Sequence, residues 1–145
     1  MIEQDTVKLL RECDAGAKMG VESIGSVLDR AQAPALHAVL AASKAEHRKL
    51  GEEIRSALSD YADEGKDPGA MAELMSRLKT ESMLLMKADD DAAIADLMTD
   101  GCDMGVKSLS RYLNQYKAAD ERSKELAGRL IRLEQSLAED LRQYL

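Results

Sequence analysis

The chain has no tryptophan and no phenylalanine, and its only aromatic rings are Tyr61, Tyr112, Tyr116 and Tyr144. A core without large rings is filled by Leu, Ile, Val, Met and Ala, which let helices approach closely and leave little aromatic lining for a large planar cofactor. Base-stacking platforms for single-stranded nucleic acid are missing for the same reason. Basic charge is short too: 20 Lys and Arg against 27 Asp and Glu give a net charge of -7. That is the wrong sign for a surface that tracks phosphates, so nucleic acid is not an expected partner. Cys13 and Cys102 are too few and too far apart for a disulfide framework and read as reduced thiols of a cytoplasmic protein. No apolar run approaches a membrane span, and Glu3, Gln4 and Asp5 stand where the apolar region of a secretory signal would begin. No Gly-rich phosphate loop, nucleophile elbow or nucleotide fingerprint occurs.

What is present is a near-repetition. Gly16-Ala17-Lys18-Met19-Gly20-Val21-Glu22-Ser23-Ile24 returns as Gly101-Cys102-Asp103-Met104-Gly105-Val106-Lys107-Ser108-Leu109, and the match runs on through Leu28 and Leu113. Self-similarity of this kind predicts two related helical hairpins. With 145 residues, 45% hydrophobic and 32% charged, the chain has enough apolar material for one soluble domain and too little length for two.

The hairpins can be laid out from apolar spacing. Leu10, Cys13, Ala17, Gly20, Val21, Ile24, Val27, Leu28 and Ala31 recur at three and four residues and predict a core-facing helix. Pro34 suits the first turn of the next one, which buries Leu36, Leu40, Ser43, His47, Leu50, Ile54, Leu58 and Tyr61. Hairpin 1 thus covers about 3–62, and the Gly- and Pro-containing stretch from Asp63 to Gly69 ends it. A segment without counterpart in the first half, about 69–87, carries Met71, Leu74, Met75, Leu78, Ser82, Leu85 and Met86 at helical spacing. Asp89-Asp90-Asp91 can cap a new helix, and hairpin 2, about 90–145, turns at Ala118-Ala119-Asp120. Its inward residues are Ile94, Leu97, Met98, Gly101, Cys102, Gly105, Leu109, Tyr112 and Leu113, then Leu126, Leu130, Leu133, Leu137, Leu141 and Tyr144. An extra helix of about 20 residues spans about 30 Å, enough to carry the chain back along the bundle; the alternatives are one unbroken helix running on into the next, or an extra helix that folds back locally and leaves the helices on either side of it antiparallel. The expected fold is therefore all-α, a four-helix bundle of two hairpins joined by one crossover helix, as in ferritin-like bundles.

Three stretches carry a resemblance: Asp89-Asp90-Asp91-Ala92-Ala93-Ile94, Asp100-Gly101-Cys102-Asp103 and Ala45-Glu46-His47-Arg48. With the overall length they resemble small bacterial ferritin-like four-helix-bundle proteins of unknown function. The resemblance implies a fold, since that family carries no established activity. In such proteins similar stretches often have a carboxylate just after the glycine, where this chain has Ala17 and Cys102.

A ferritin-like di-iron centre requires a Glu from each of two helices and Glu-x-x-His from each of the other two. The only histidines are His37 and His47, preceded three residues earlier by Pro34 and Lys44, so the full set is excluded by counting. A hairpin reversing near Gln32 sets Ala17 at the height of His47, and one reversing near Ala118 sets Cys102 at the height of Glu134. These four form an expected central layer, and His47, Cys102 and Glu134 are candidate ligands for a single zinc or iron ion. Against that stands a purely structural role. His47 then bonds to Glu134 or to the Ser43 hydroxyl, or Glu134 flanks its stripe and faces water. Cys13 and Cys102 read as inert small hydrophobes rather than redox groups, Met71, Met75, Met83 and Met86 as gap-fillers rather than a partner face, and Asp89 to Asp91 as a helix start rather than a cation site.

The leading expectation is a non-catalytic helical bundle without cofactor, acting through protein contacts as a homo-oligomer. The alternative is a degenerate metal-binding or oxidoreductase protein built on His47, Cys102 and Glu134. A third reading, a coiled-coil adaptor, predicts an elongated shape in solution.

Overall fold

The computed structural model describes residues 2–61, 63 and 91–145, and these are all-helical. Four long helices, α1 (Ile2–Val27), α2 (Pro34–Ser59), α3 (Asp91–Gln115) and α4 (Glu121–Leu141), pack against one another. The crossover helix expected at 69–87, with its methionines, and Asp89 and Asp90 lie outside the described residues.

Each turn is built by side chains that serve backbone groups left over at helix ends. After α1 a short 3-10 turn, Leu28–Arg30, leads into extended residues, and Pro34 starts α2 in the first-turn position where its missing N–H costs nothing. Asp91, at the start of α3, accepts hydrogen bonds from the backbone N–H of Gln32 at 2.8 Å and of Ala33 at 2.9 Å. At the opposite end, Asp120 caps α4 by accepting from the N–H of Ser123 at 2.8 Å. Asp5 accepts from Ala118 N–H, Thr6 from Asp120 N–H, and Tyr61 donates to Asp120.

These bonds fix direction. The α1–α2 turn meets the start of α3 at one end, whereas the start of α1, the end of α2 and the α3–α4 turn meet at the other. Hence α2 and α3 run the same way, and α1 and α4 run the other. Helix α1 packs on α2, α3 and α4, and α4 also packs on α2 and α3.

The expected inward faces are inside. On α2, Leu36, Leu40, Ser43, His47, Leu50, Ile54 and Leu58 are all buried, and Tyr61 is half-buried. Buried apolar side chains form two clusters. One contains Leu9, Leu10, Cys13, Ala17, Leu50, Ile54, Leu58, Leu109, Leu126 and Leu130. The other contains Ile24, Val27, Leu36, Leu40, Ile94, Met98, Cys102, Leu137 and Leu141. On every helix the change from one cluster to the other falls at mid-length, between 17 and 24, 40 and 50, 102 and 109, and 130 and 137. A buried polar layer occupies that gap.

Replacing Asp91 by Ala removes two charge-assisted bonds to the α1–α2 turn. Urea denaturation is expected to register a loss of about 1–3 kcal/mol, whereas Asp96→Ala, on the exposed side of α3, changes stability by less than about 0.5 kcal/mol.

Candidate polar site at the centre of the bundle

Two residues that the apolar stripes of α2 and α4 would reject meet at mid-bundle. His47 is fully buried and Glu134 is 9% exposed. His47 Nε2 lies 2.8 Å from Glu134 Oε1, and Nδ1 lies 2.8 Å from the Ser43 carbonyl oxygen, with the Ser43 hydroxyl at 3.3 Å. Both ring nitrogens therefore face acceptors, which favours the doubly protonated ring donating N–H in both directions. Burial opposes that charge, yet the hydrogen bond and the negative charge of Glu134, with the Ser43 carbonyl, outweigh it and raise the His47 pKa. The Cys102 thiol lies near Glu134, and burial followed by the Glu134 charge raises its pKa far above the ordinary thiol range. A thiol held protonated is a poor nucleophile and a poor metal ligand.

The repeated glycines make room for this pair. A Cβ on Gly20 would come within 2.3 Å of His47 Cδ2, so the imidazole lies directly on the α1 backbone. A Cβ on Gly105, the matching residue of α3, would meet Glu134 Cδ at 3.6 Å, an ordinary contact. His47 and Glu134 are themselves matched, each standing thirteen residues after the first residue of its helix, Pro34 or Glu121.

This corrects the expected layer in one respect. Ala17 does not face His47; it packs in one apolar cluster, where its Cβ approaches Gly51, while Cys102 packs in the other. The residues opposite the pair are Gly20 and Gly105, one turn further along. The reason is the point of reversal. The chain turns at Ala33–Pro34 and at Ala119–Asp120 rather than at Gln32 and Ala118, and each residue of delay shifts the facing register by two. His47, Cys102 and Glu134 do come together, and Glu134 is neither solvent-facing nor without a partner.

Between α1 and α3 a cavity of about 40 Å³ borders the pair, room for a water or two. Its walls include Gly16 and Gly101, Met19 and Met104, Gly20 and Gly105, and Ser23 and Ser108, pairs 85 residues apart in sequence. Among the described residues, no buried side-chain N or O lacks a hydrogen-bond partner, and no three His, Cys, Asp or Glu side chains are grouped to hold a metal ion.

Asp14 was not anticipated. Its carboxylate is fully buried in α1, with Lys18 Nζ at 2.7 Å and Arg55 at 3.4 Å from α2. Arg55 is 41 residues away, so only the hairpin register reveals the pairing. Cys13, beside it, has its pKa pushed up to about 12, by burial first and then by Glu12 and Asp14. This thiol and that of Cys102 are free and buried in different clusters. His37 lies exposed near the start of α2, away from the layer.

Comparison with known proteins finds no matching family model, no matching curated protein and no matching solved structure. Among the described residues, no helix is long and apolar enough to cross a membrane.

Two outcomes follow from this geometry. Gly20→Ala drives a Cβ into His47 and is expected to destabilise by about 1–3 kcal/mol, whereas Gly105→Ala is neutral or stabilises by up to about 1 kcal/mol through helix propensity. In a His47→Ala background the Gly20→Ala cost disappears, which a double-mutant cycle measures. Because the folded His47 pKa lies above its unfolded value, its contribution is fully present below about pH 6.5 and is lost as pH rises through the folded value. Thermal unfolding between about pH 6 and about pH 9 is expected to show a falling melting temperature that His47→Gln flattens.

Proposed function

We propose that this chain is a ferritin-like bundle of two duplicated hairpins that has given up metal chemistry and acts, without catalysis or cofactor, through contacts with other proteins and with copies of itself. The observation that carries the reading is the closed His47–Glu134 pair. General acid–base work or metal ligation needs a lone pair or proton turned toward a ligand. Here the imidazole uses both nitrogens on Ser43 and Glu134, and burial beside the Glu134 charge keeps the Cys102 thiol protonated. The direction of the helices, with α2 and α3 parallel, supports the ferritin-like connection, and the matched glycines support the duplication. Buried, separate thiols fit a cytoplasmic protein.

The surface offers one feature that suits a partner. Asp96, Asp100 and Asp103 are exposed on one face of α3, and the Asp100 pKa is raised, by partial burial first and then by its two like-charged neighbours. Like charges at helical spacing cost stability in the isolated molecule, a cost that a basic partner surface relieves.

A second reading keeps His47, Cys102 and Glu134 as ligands of one zinc or iron ion, favoured by their convergence beside the cavity. Binding would require the ion to displace the protons now held by the imidazole and the thiol.

Elemental analysis of protein purified without added metal separates the two. Less than about a tenth of an equivalent of zinc, iron or manganese is expected. Near-stoichiometric metal that His47→Ala loses while staying folded would establish the second reading instead. Sedimentation velocity is expected to give a mass at least twice the 15.9 kDa of the chain; a monomer with compact frictional properties removes the self-association, and an elongated species points to the coiled-coil adaptor.

A further inference from the structure

Behind the His47 ring, on the side away from the cavity, a groove of about 230 Å³ runs between α1 and α2. Its lining is basic although the chain as a whole is acidic: Lys18, Arg48 and Arg55, besides the His47 ring, stand against a single lining acid, Glu22. The buried carboxylate of Asp14 serves Lys18 at 2.7 Å and Arg55 at 3.4 Å, so one anion is shared between two cations, and the longer bond is at the weak end of hydrogen-bonding range. Arg48 is exposed and engages none of the ion pairs found among the described residues. Counting Asp14 and Glu22, the groove holds an excess of positive charge in a chain of net charge -7.

The floor is open for a reason visible in the backbone. Arg48 and Arg55 are two helical turns apart on one face of α2, and the residue between them is Gly51. A Cβ there would sit 3.3 Å from an Arg55 guanidinium nitrogen and 3.4 Å from the Ala17 Cβ. The guanidinium of Arg55 thus lies over bare backbone, facing the space that Arg48 borders. Two arginines lining one concavity supply planar guanidinium forks that match an oxyanion able to accept several N–H bonds at once. The volume is below the approximately 300 Å³ at which pockets for drug-sized ligands begin, and it suits a group of a few heavy atoms.

We propose that the α1–α2 groove binds a divalent oxyanion of the phosphate class, gripped by Arg48 and Arg55 with the Lys18 ammonium at its edge. Arg55 leaves its long bond to Asp14 for the ligand, and Lys18 continues to neutralise that carboxylate. The site is independent of the His47–Glu134 reading, since it uses none of their bonds.

Isothermal titration calorimetry on the full chain, with inorganic phosphate in one arm and phosphoserine in the other, tests this. Saturable one-to-one binding of at least one probe is expected, with Kd of about 1 mM or tighter. Arg48→Ala, an exposed change that leaves the core untouched, should weaken it about tenfold, and Arg55→Ala similarly. Arg132→Ala on the exposed face of α4 should alter it less than about twofold. Inorganic phosphate binding as well as phosphoserine identifies the free ion as ligand, and tighter phosphoserine binding identifies a phosphate ester. Absence of saturable heat with both probes, an equal loss in Arg132→Ala, or equal competition by acetate would overturn the proposal.

Discussion

The hydrogen bond between His47 and Glu134 is the constraint around which the bundle is organised. An imidazole and a carboxylate taken out of water are costly unless they meet, and meeting fixes the axial position of α2 against α4 to within a fraction of a turn. Apolar stripes of Leu and Ala cannot do this, because sliding one helix by a turn exchanges one Leu contact for another of similar energy. The pair adds little net stability relative to well-packed apolar residues, since desolvation offsets much of the attraction. What it supplies is a large penalty for every other register, the role best attested for buried polar residues in helical assemblies.

Once α2 and α4 are fixed, the other two helices must yield space, and the glycines at matched positions record how much. Gly20 yields completely: the imidazole rests on backbone, and no other residue type fits without moving it. Gly105 yields with slack, because a carboxylate on a flexible stem needs less width than a ring. The same sequence motif therefore carries different steric burdens in the two hairpins, and an alanine distinguishes them. The cavity beside the pair is a further consequence, as small residues on both α1 and α3 withdraw from the centre there.

The helices, their inward faces and their pairing into hairpins were legible in the sequence, because three-and-four spacing reports burial directly and Pro34, Asp91 and Asp120 mark starts. The partnership of His47 with Glu134 was also within reach, as counting residues back from each turn brings them to similar heights. The finer register was not. An error of one or two residues in the point of reversal moves the facing residue by a full turn, which is why Ala17 stood in for Gly20. Thr6, Asp14 and Ser123 escaped for a different reason: polarity argues for exposure, and only tertiary structure supplies the Asp120 N–H, Lys18 and Arg55, and the α4 cap that make their burial tolerable. Glycine spacing was visible, but its meaning depends on what stands opposite.

The direction of the helices gives the small residues one more role. With α1 and α4 running one way and α2 and α3 the other, each packed side of the bundle joins antiparallel helices, whose macrodipoles attract. Only the diagonals join parallel ones. The two diagonals are unequal: α1 and α4 touch across theirs, whereas α2 and α3 make no comparable contact. One part of the contact across the short diagonal is Leu130, which lies 3.3 Å from where a Cβ of Gly16 would stand. The small residue Gly16 thus lets a leucine of α4 approach the α1 backbone. Glu134, one turn beyond Leu130 on the same helix, meets His47. Gly16 and Gly20 therefore play related parts one turn apart: the first makes room for Leu130 of α4, and the second clears the backbone on which the imidazole lies.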